Sequence, residues 1–224
     1  MGGNDTARPR VRMRAIVKLL VVGGTSGTGR QVVTQALEAG HDVTVLARDR
    51  TRIGPEQQRL RVVDGDARNG RAVAEAMAGQ HAVISAIGRG KSFKSENLIA
   101  ESVPGIIAAM QSHGVKRLLF TSALGVGDSF RDAPLPLKIF IRTLLRGIYA
   151  DKVIGDEMIR KSALDWTIVQ PAVLTDGPLT KNYRAGERLP LSGMASVSRA
   201  DTAHFIVDRL DDETTFGKTL VLAN

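Results

Sequence analysis

Residues 21–30 read VVGGTSGTGR, and no other segment restricts what this 224-residue chain can fold into as tightly. An apolar run, Leu19 to Val22, breaks off into glycine, serine and threonine. An amphipathic stretch follows, with Val32, Val33, Ala36 and Leu37 at helical spacing and Gly40 as a stop. A strand that turns through glycines into a helix N-terminus is where a dinucleotide pyrophosphate is held. Glycines permit a tight turn and close backbone approach, while free N–H groups and the helix dipole attract the anion. This reading assigns Gly23, Thr25, Ser26, Gly27, Thr28 and Gly29 to the phosphates. A glycine loop alone is a weak signal, but its place between a strand pattern and a helix pattern makes it a specific one.

Strand and helix patterns alternate along the rest of the chain. Residues 42–47 (DVTVLA), 60–63, 82–87, 116–122, 166–170 and 218–222 read as further strands. Residues 30–39, 71–77, 97–113 and 200–210 read as helices, with Pro104 a kink or start within the third. The alternation predicts an α/β fold: a Rossmann doubly wound, mostly parallel sheet with helices on both faces. The residues after Pro171 suffice for a small C-terminal cap. Residues 1–14 are expected to be a basic, disordered leader, and residues 15–224 a single NAD(P)-binding domain. The segment 134–148, PLPLKIFIRTLLRGI, has two readings. It lies over the sheet or cleft with Lys138, Arg142 and Arg146 snorkelling to solvent, or it faces a membrane surface or partner.

Bulk composition narrows the partners. The net charge is +8, and half of it comes from Arg8, Arg10, Arg12, Arg14 and Lys18 against Asp5, so it describes a tail rather than a nucleic-acid groove. There is no cysteine, hence no disulfide or thiolate metal site, and the four histidines have no ligand company; no metal is expected. No apolar run reaches the ~20 residues that span a bilayer. The expectation is a cytoplasmic monomer or homodimer with a small-molecule substrate or electron acceptor, no nucleic acid and no stable membrane association.

The coenzyme preference should lie at the end of the second strand, beside the adenosine ribose. That strand ends Ala47-Arg48-Asp49. Arg48 suits a bidentate contact with a 2′-phosphate and so favours NADP(H), while Asp49 leaves NAD(H) possible. Asp66, beside Ala67 after the third strand, is placed either to accept from the adenine amino group or to cap a helix. Ala86 and Gly88, after the fourth strand, are small enough to let backbone meet ribose, or they form a plain turn.

These residues together resemble the atypical short-chain dehydrogenase/reductase superfamily, and within it the single-domain NAD(P)H-binding branch that includes biliverdin reductase B (flavin reductase) and NmrA-like proteins. The likeness rests on GGTSGTGR, VTVLARD, the GDA of residues 65–67, TSALGVGDS, YADK, LDWTIVQPAVLTDGP and VSRADTAHF. In the family register GxxGxxG, Ser26 replaces the middle glycine. The resemblance implies Ser122 and Lys152 as catalytic residues that also contact the cofactor, Lys152 on the nicotinamide ribose and Ser122 on the acceptor oxygen. It implies that Pro171, Val173 and Leu174 bind near the nicotinamide carboxamide. The family tyrosine stands four residues before its lysine, whereas Tyr149 stands three before Lys152. A one-residue shift turns a helical side chain by about 100°, so the usual general acid is expected to be missing. Val173 replaces a histidine of the bilin-reducing relatives. Asp151 and Asp156 flank Lys152, either as ion partners or on a solvated helix face. The expected function is an NADPH-dependent reductase of a small conjugated acceptor. The alternatives are a non-catalytic NADP(H) sensor of NmrA-like type and a small epimerase or dehydratase.

Overall fold

Short runs such as LLVV and DVTVLA carry apolar residues at consecutive positions, and only a strand covered on both faces uses such a run. The computed structural model places them so. It describes residues 16–54, 58–88, 96–191 and 193–224; the leader expected over 1–14 lies outside them. Six parallel strands form the centre: β1 (Lys18–Val22), β2 (Asp42–Ala47), β3 (Leu60–Asp64), β4 (Ala82–Ser85), β5 (Arg117–Thr121) and β6 (Asp165–Pro171). The connecting helices are α1 (Gly27–Glu38), α2 (Gly70–Met77), α3 (Leu98–Ser112), α4 (Leu135–Thr143) and α5 (Arg146–Arg160). Beyond β6, β7 (Val173–Thr175) pairs with β9 (Ser196–Ser198) in a separate ribbon that leads into α6 (Arg199–Asp208). β10 (Lys218–Ala223) adds parallel to β6, and β8 (Arg184–Gly186) closes the edge antiparallel.

The main sheet runs β3-β2-β1-β4-β5-β6-β10-β8, so the winding reverses between β1 and β4. One face packs Val32, Val33 and Ala36 of α1 and Phe205, Ile206 and Val207 of α6 over Leu19, Val21 and Val45. The other packs Met77 of α2, Ile99 and Val103 of α3 and Ile159 of α5 over Leu20, Leu118 and Ile168. Helices thus cover both faces, as the alternation predicts. Among the described residues no helix is long and apolar enough to cross a membrane.

The structure corrects several local readings. α1 begins at Gly27 rather than at residue 30, so the helix takes up the glycines of the loop itself. Pro104 lies inside α3 on its exposed side, so it does not start the helix. The segment 134–148 is not one helix. α4 buries only Leu137 and Ile141, and a turn at Leu144–Leu145 redirects the chain into α5. α4 then packs on Leu124, Ala172 and Val221 and covers that end of the sheet.

Candidate dinucleotide site

In a doubly wound sheet the crevice opens at the carboxyl ends of the strands where the winding reverses. Here that point lies between β1 and β4, and their two loops touch. Gly23, directly after β1, has φ +89°, and a Cβ there would stand 2.7 Å from the carbonyl carbon and oxygen of Ala86, directly after β4. Gly29, on the first turn of α1, is tighter still, because its Cβ would fall 2.0 Å from the Gly23 carbonyl oxygen. The helix N-terminus is therefore drawn onto the strand end, and only glycine permits that approach.

The same turn offers unused donors. Ser26 is the N-terminal cap residue of α1 in extended conformation, yet its hydroxyl makes no capping bond. No acidic side chain occupies the first turn, so the positive end of the helix dipole is left uncompensated by the chain. Among the described residues the buried Thr28 hydroxyl has no hydrogen-bond partner. A cradle shaped by glycine and lined with free N–H groups, an exposed serine and an orphaned threonine fits a pyrophosphate, which supplies the acceptor oxygens these donors lack. Thr25, half-buried, lies in the same turn.

Along the carboxyl edge, neighbouring strand ends stand ~4.8 Å apart. Beyond β2, Arg48 is 66% exposed, with its nearest Nη 4.0 Å from Asp66. Asp66 itself is held by Arg68, through the backbone N–H and two guanidinium contacts, and the Arg68 hydrogen bond lowers its pKa. Asp66 does not cap α2; Asn69 does, accepting from Arg71 and Ala72. The Asp49 carboxylate is turned into its own loop and accepts from the N–H and hydroxyl of Thr51. Ala67 and Ala86 are half-buried and Gly88 is exposed.

On the other side of the reversal, Ser122 follows β5 and is only 4% exposed. Its hydroxyl does not point free toward an acceptor as expected; it donates to Asp156 on α5 at 3.0 Å. Gln170 of β6 donates to the same carboxylate oxygen at 3.3 Å, and Arg160 stands 3.9 Å away. Asp156 is 0% exposed, and among the described residues its second oxygen and the Gln170 amide oxygen have no hydrogen-bond partner. Burial raises the Asp156 pKa, against the pull of Lys152, Ser122, Arg160 and Gln170. Lys152, one turn before Asp156, is half-buried, and burial lowers its pKa while Asp156 and Asp151 oppose the shift. Among the described residues its ammonium has no hydrogen-bond partner.

The two carboxylates beside Lys152 are not a solvated helix face. Asp151 is buried and accepts from the N–H groups of Ile99 and Ala100 at 3.0 and 2.8 Å, so it caps α3 from another helix. Asp156 forms the floor under Ser122. The 152/156 spacing, one helical turn, was the available signal for this pair. Tyr149 packs under α4, and its hydroxyl donates to the Leu124 carbonyl at 3.1 Å, with its pKa pushed up to about 12 by burial. Pro171 is buried at the end of β6 and its carbonyl accepts from Leu124; Val173 and Leu174 begin the β7 ribbon, Val173 exposed and Leu174 packed on the α1–α6 core. Among the described residues no group of histidines or carboxylates is arranged for a metal ion.

A hollow of about 350 Å³ lies at the opposite, amino edge of β1–β3, lined by Lys18, Asp42 and Arg59, away from these groups.

Comparison with known proteins agrees with this geometry. A family described as NAD(P)H-binding matches residues 23–213. The chain is 30% identical to the UPF0659 protein YMR090W of Saccharomyces cerevisiae, over 93% of each. It is 27% identical to the photosystem II assembly factor Ycf39 of Synechocystis, over 91% of this chain but 61% of that protein's length. Among solved structures, a short-chain dehydrogenase/reductase from Veillonella parvula in complex with NADP superposes with a TM-score of 0.78 at 20% identity, covering 94% of this chain and 95% of that one. The chain belongs to the NAD(P)H-binding family.

Proposed function

We propose that this chain is an NADPH-dependent reductase of a small conjugated acceptor such as a flavin or quinone. The observation that carries the reading is Lys152: a half-buried ammonium without a hydrogen-bond partner among the described residues, beside the Asp156 carboxylate that Ser122 and Gln170 bind. A buried cation without donors satisfied is costly unless a ligand supplies acceptors, and the ribose hydroxyls of a nicotinamide nucleotide are acceptors of that kind.

The reduced nicotinamide supplies a hydride when bound; the chain's own residues do the rest. The glycine turn with Ser26 and Thr28 binds the pyrophosphate. Arg48, largely exposed, holds the 2′-phosphate, since the Asp66 carboxylate beside it is already taken by Arg68. The closure of Asp49 onto Thr51 removes the acidic group that would favour NAD(H). Asp156 fixes Ser122 after β5 and attracts Lys152, one turn earlier on α5, so both keep their places. Tyr149 is not poised to deliver a proton: its hydroxyl is engaged with Leu124 and holds its proton to about pH 12. A missing acid costs about 10²–10⁴ in rate when the proton must move with the hydride. Acceptors whose reduced form takes a proton from water afterwards avoid that cost, which selects flavins and quinones over simple ketones.

A second reading, an NADP(H) sensor without turnover, is favoured by the burial of the Ser122 hydroxyl on Asp156. NADPH oxidation by variants separates the two. Lys152→Ala lowers kcat/KM at least about tenfold, the scale of one lost charge-assisted contact. Tyr149→Phe stays within about threefold, well short of the acid-loss range. A hundredfold loss in Tyr149→Phe makes Tyr149 the general acid and contradicts the mechanism. Tight NADPH binding without turnover by the wild type makes the protein a sensor.

A further inference from the structure

We propose that Arg199, on the first turn of α6, is a cofactor-binding residue that clamps the dinucleotide pyrophosphate from across the crevice, and that Asp176 occupies it until the cofactor arrives. The proposal rests on the glycine turn being the pyrophosphate site. A Cβ on Gly27 would lie 3.5 Å from Nε and 3.7 Å from Cδ of Arg199, so the arginine side chain runs directly over the phosphate turn. The fold brings it there. β9 ends at Ser198, which caps α6 by accepting from the Asp201 N–H, and Gln35 of α1 donates to the Ala200 carbonyl at 2.9 Å. The start of α6 thus lies alongside α1, and the Arg199 side chain reaches from the first turn of α6 to the first turn of α1.

That position is unfavourable for helix stability, because a cation on a first turn opposes the dipole. Asp201 on the same turn offsets the dipole, but its carboxylate is taken up by Thr180, Lys181 and Ser198; Arg199 itself pairs with Asp176, Nη1 to Oδ1 at 2.7 Å. Thr175 of β7 lies opposite Ser198 of β9, so Asp176 and Arg199 leave two adjacent strand ends side by side. Arg199 is 30% exposed and Asp176 is 91% exposed, and an ion pair so open to water is weak. A pyrophosphate brings two charges and several acceptor oxygens to the same guanidinium, in the geometry arginine fits best. Asp176 is then a resident competitor that the cofactor displaces.

Because the pyrophosphate is common to both coenzymes, the test compares NADP⁺ and NAD⁺ by isothermal titration on the full chain. Arg199→Ala is expected to weaken both by the same factor, about tenfold or more, and Arg199→Lys to restore part of the loss. Asp176→Asn is expected to tighten both about threefold or more, a direction that damage to the fold does not produce. Loss for NADP⁺ alone makes Arg199 a 2′-phosphate reader and overturns the proposal. So does unchanged affinity in Arg199→Ala, or weaker binding in Asp176→Asn. If the wild type binds neither coenzyme, the pyrophosphate site itself is wrong and the clamp falls with it. If the wild type binds both and Arg199→Ala binds equally well, only the clamp fails.

Discussion

Replacing Gly29 by alanine probes the phosphate cradle through one atom. The added methyl would stand 2.0 Å from the Gly23 carbonyl oxygen, whereas real contacts of this kind begin near 3.0 Å. The loop after β1 and the first turn of α1 must part by about 1 Å. Charge-assisted hydrogen bonds to phosphate have lengths of ~2.7–2.9 Å and do not survive such a stretch. Losing two of them at about 1.5–3 kcal/mol each removes at least about 3 kcal/mol of binding, or roughly 150-fold in Kd. The strain on the fold is smaller, about 1–3 kcal/mol for one overpacked methyl, which lowers Tm by about 3–10 °C in a chain of this size. Titration calorimetry with NADPH gives the first quantity and thermal melting without ligand gives the second. Gly70→Ala is the control, because a Cβ at the start of α2 meets nothing within 4 Å among the described residues. Gly29→Ala binding NADPH within about threefold of the wild type would falsify the cradle, since the cited bond energies forbid so small a loss.

Arg48→Ala should weaken NADPH by roughly 10- to 150-fold, the equivalent of one charge-assisted contact, and leave NADH almost unchanged; parallel titrations check this, and an unchanged preference removes Arg48 from the 2′-phosphate. Asp151→Ala leaves the N–H groups of Ile99 and Ala100 without their carboxylate and should cost about 1–2 kcal/mol in urea denaturation, the range of a lost helix cap; a cost below about 0.3 kcal/mol would show that the cap matters little. Asp156 has a raised folded pKa, so its stability contribution is complete below the ordinary carboxylate range (~4) and is lost as pH rises through the folded value. The Tm of Asp156→Asn relative to the wild type should therefore climb between about pH 4 and the folded pKa; a pH-independent difference contradicts the assignment.

Much of the fold is legible in the sequence because parallel strands leave continuous apolar runs. DVTVLA marks the bounds of β2, and the glycine turn marks the crossover into α1. The three-residue strands β7, β8 and β9 are not legible, since such short runs carry no periodicity and depend on partners far along the chain. The break between α4 and α5 escapes for a related reason. In residues 134–148 apolar side chains flank Lys138, Arg142 and Arg146 without a clear helical stripe, and only packing selects Leu137 and Ile141 for burial while Leu135, Ile139 and Phe140 stay exposed. At the site, Arg48 and the cradle glycines are visible from their places after strands. Asp156 and Asp151 are visible beside Lys152, but the choice between ion partner and solvated face is not, because a charged helix residue looks solvated until the sheet or the neighbouring helix that receives it is known. Their partners, Ser122 and the first turn of α3, lie 34 and 52 residues away or nearly so.

The central claim is that this chain passes hydride from NADPH to a conjugated acceptor without a resident general acid. Steady-state NADPH oxidation across flavins, quinones, bilins and simple ketones tests it most directly. The account predicts acceptor-dependent turnover with flavins or quinones, faster with NADPH than with NADH, and at least about 100-fold slower with simple ketones, the lower bound of the acid-loss penalty. NADPH bound tightly but oxidised by none of these acceptors, or a ketone reduced as fast as a quinone, would contradict it.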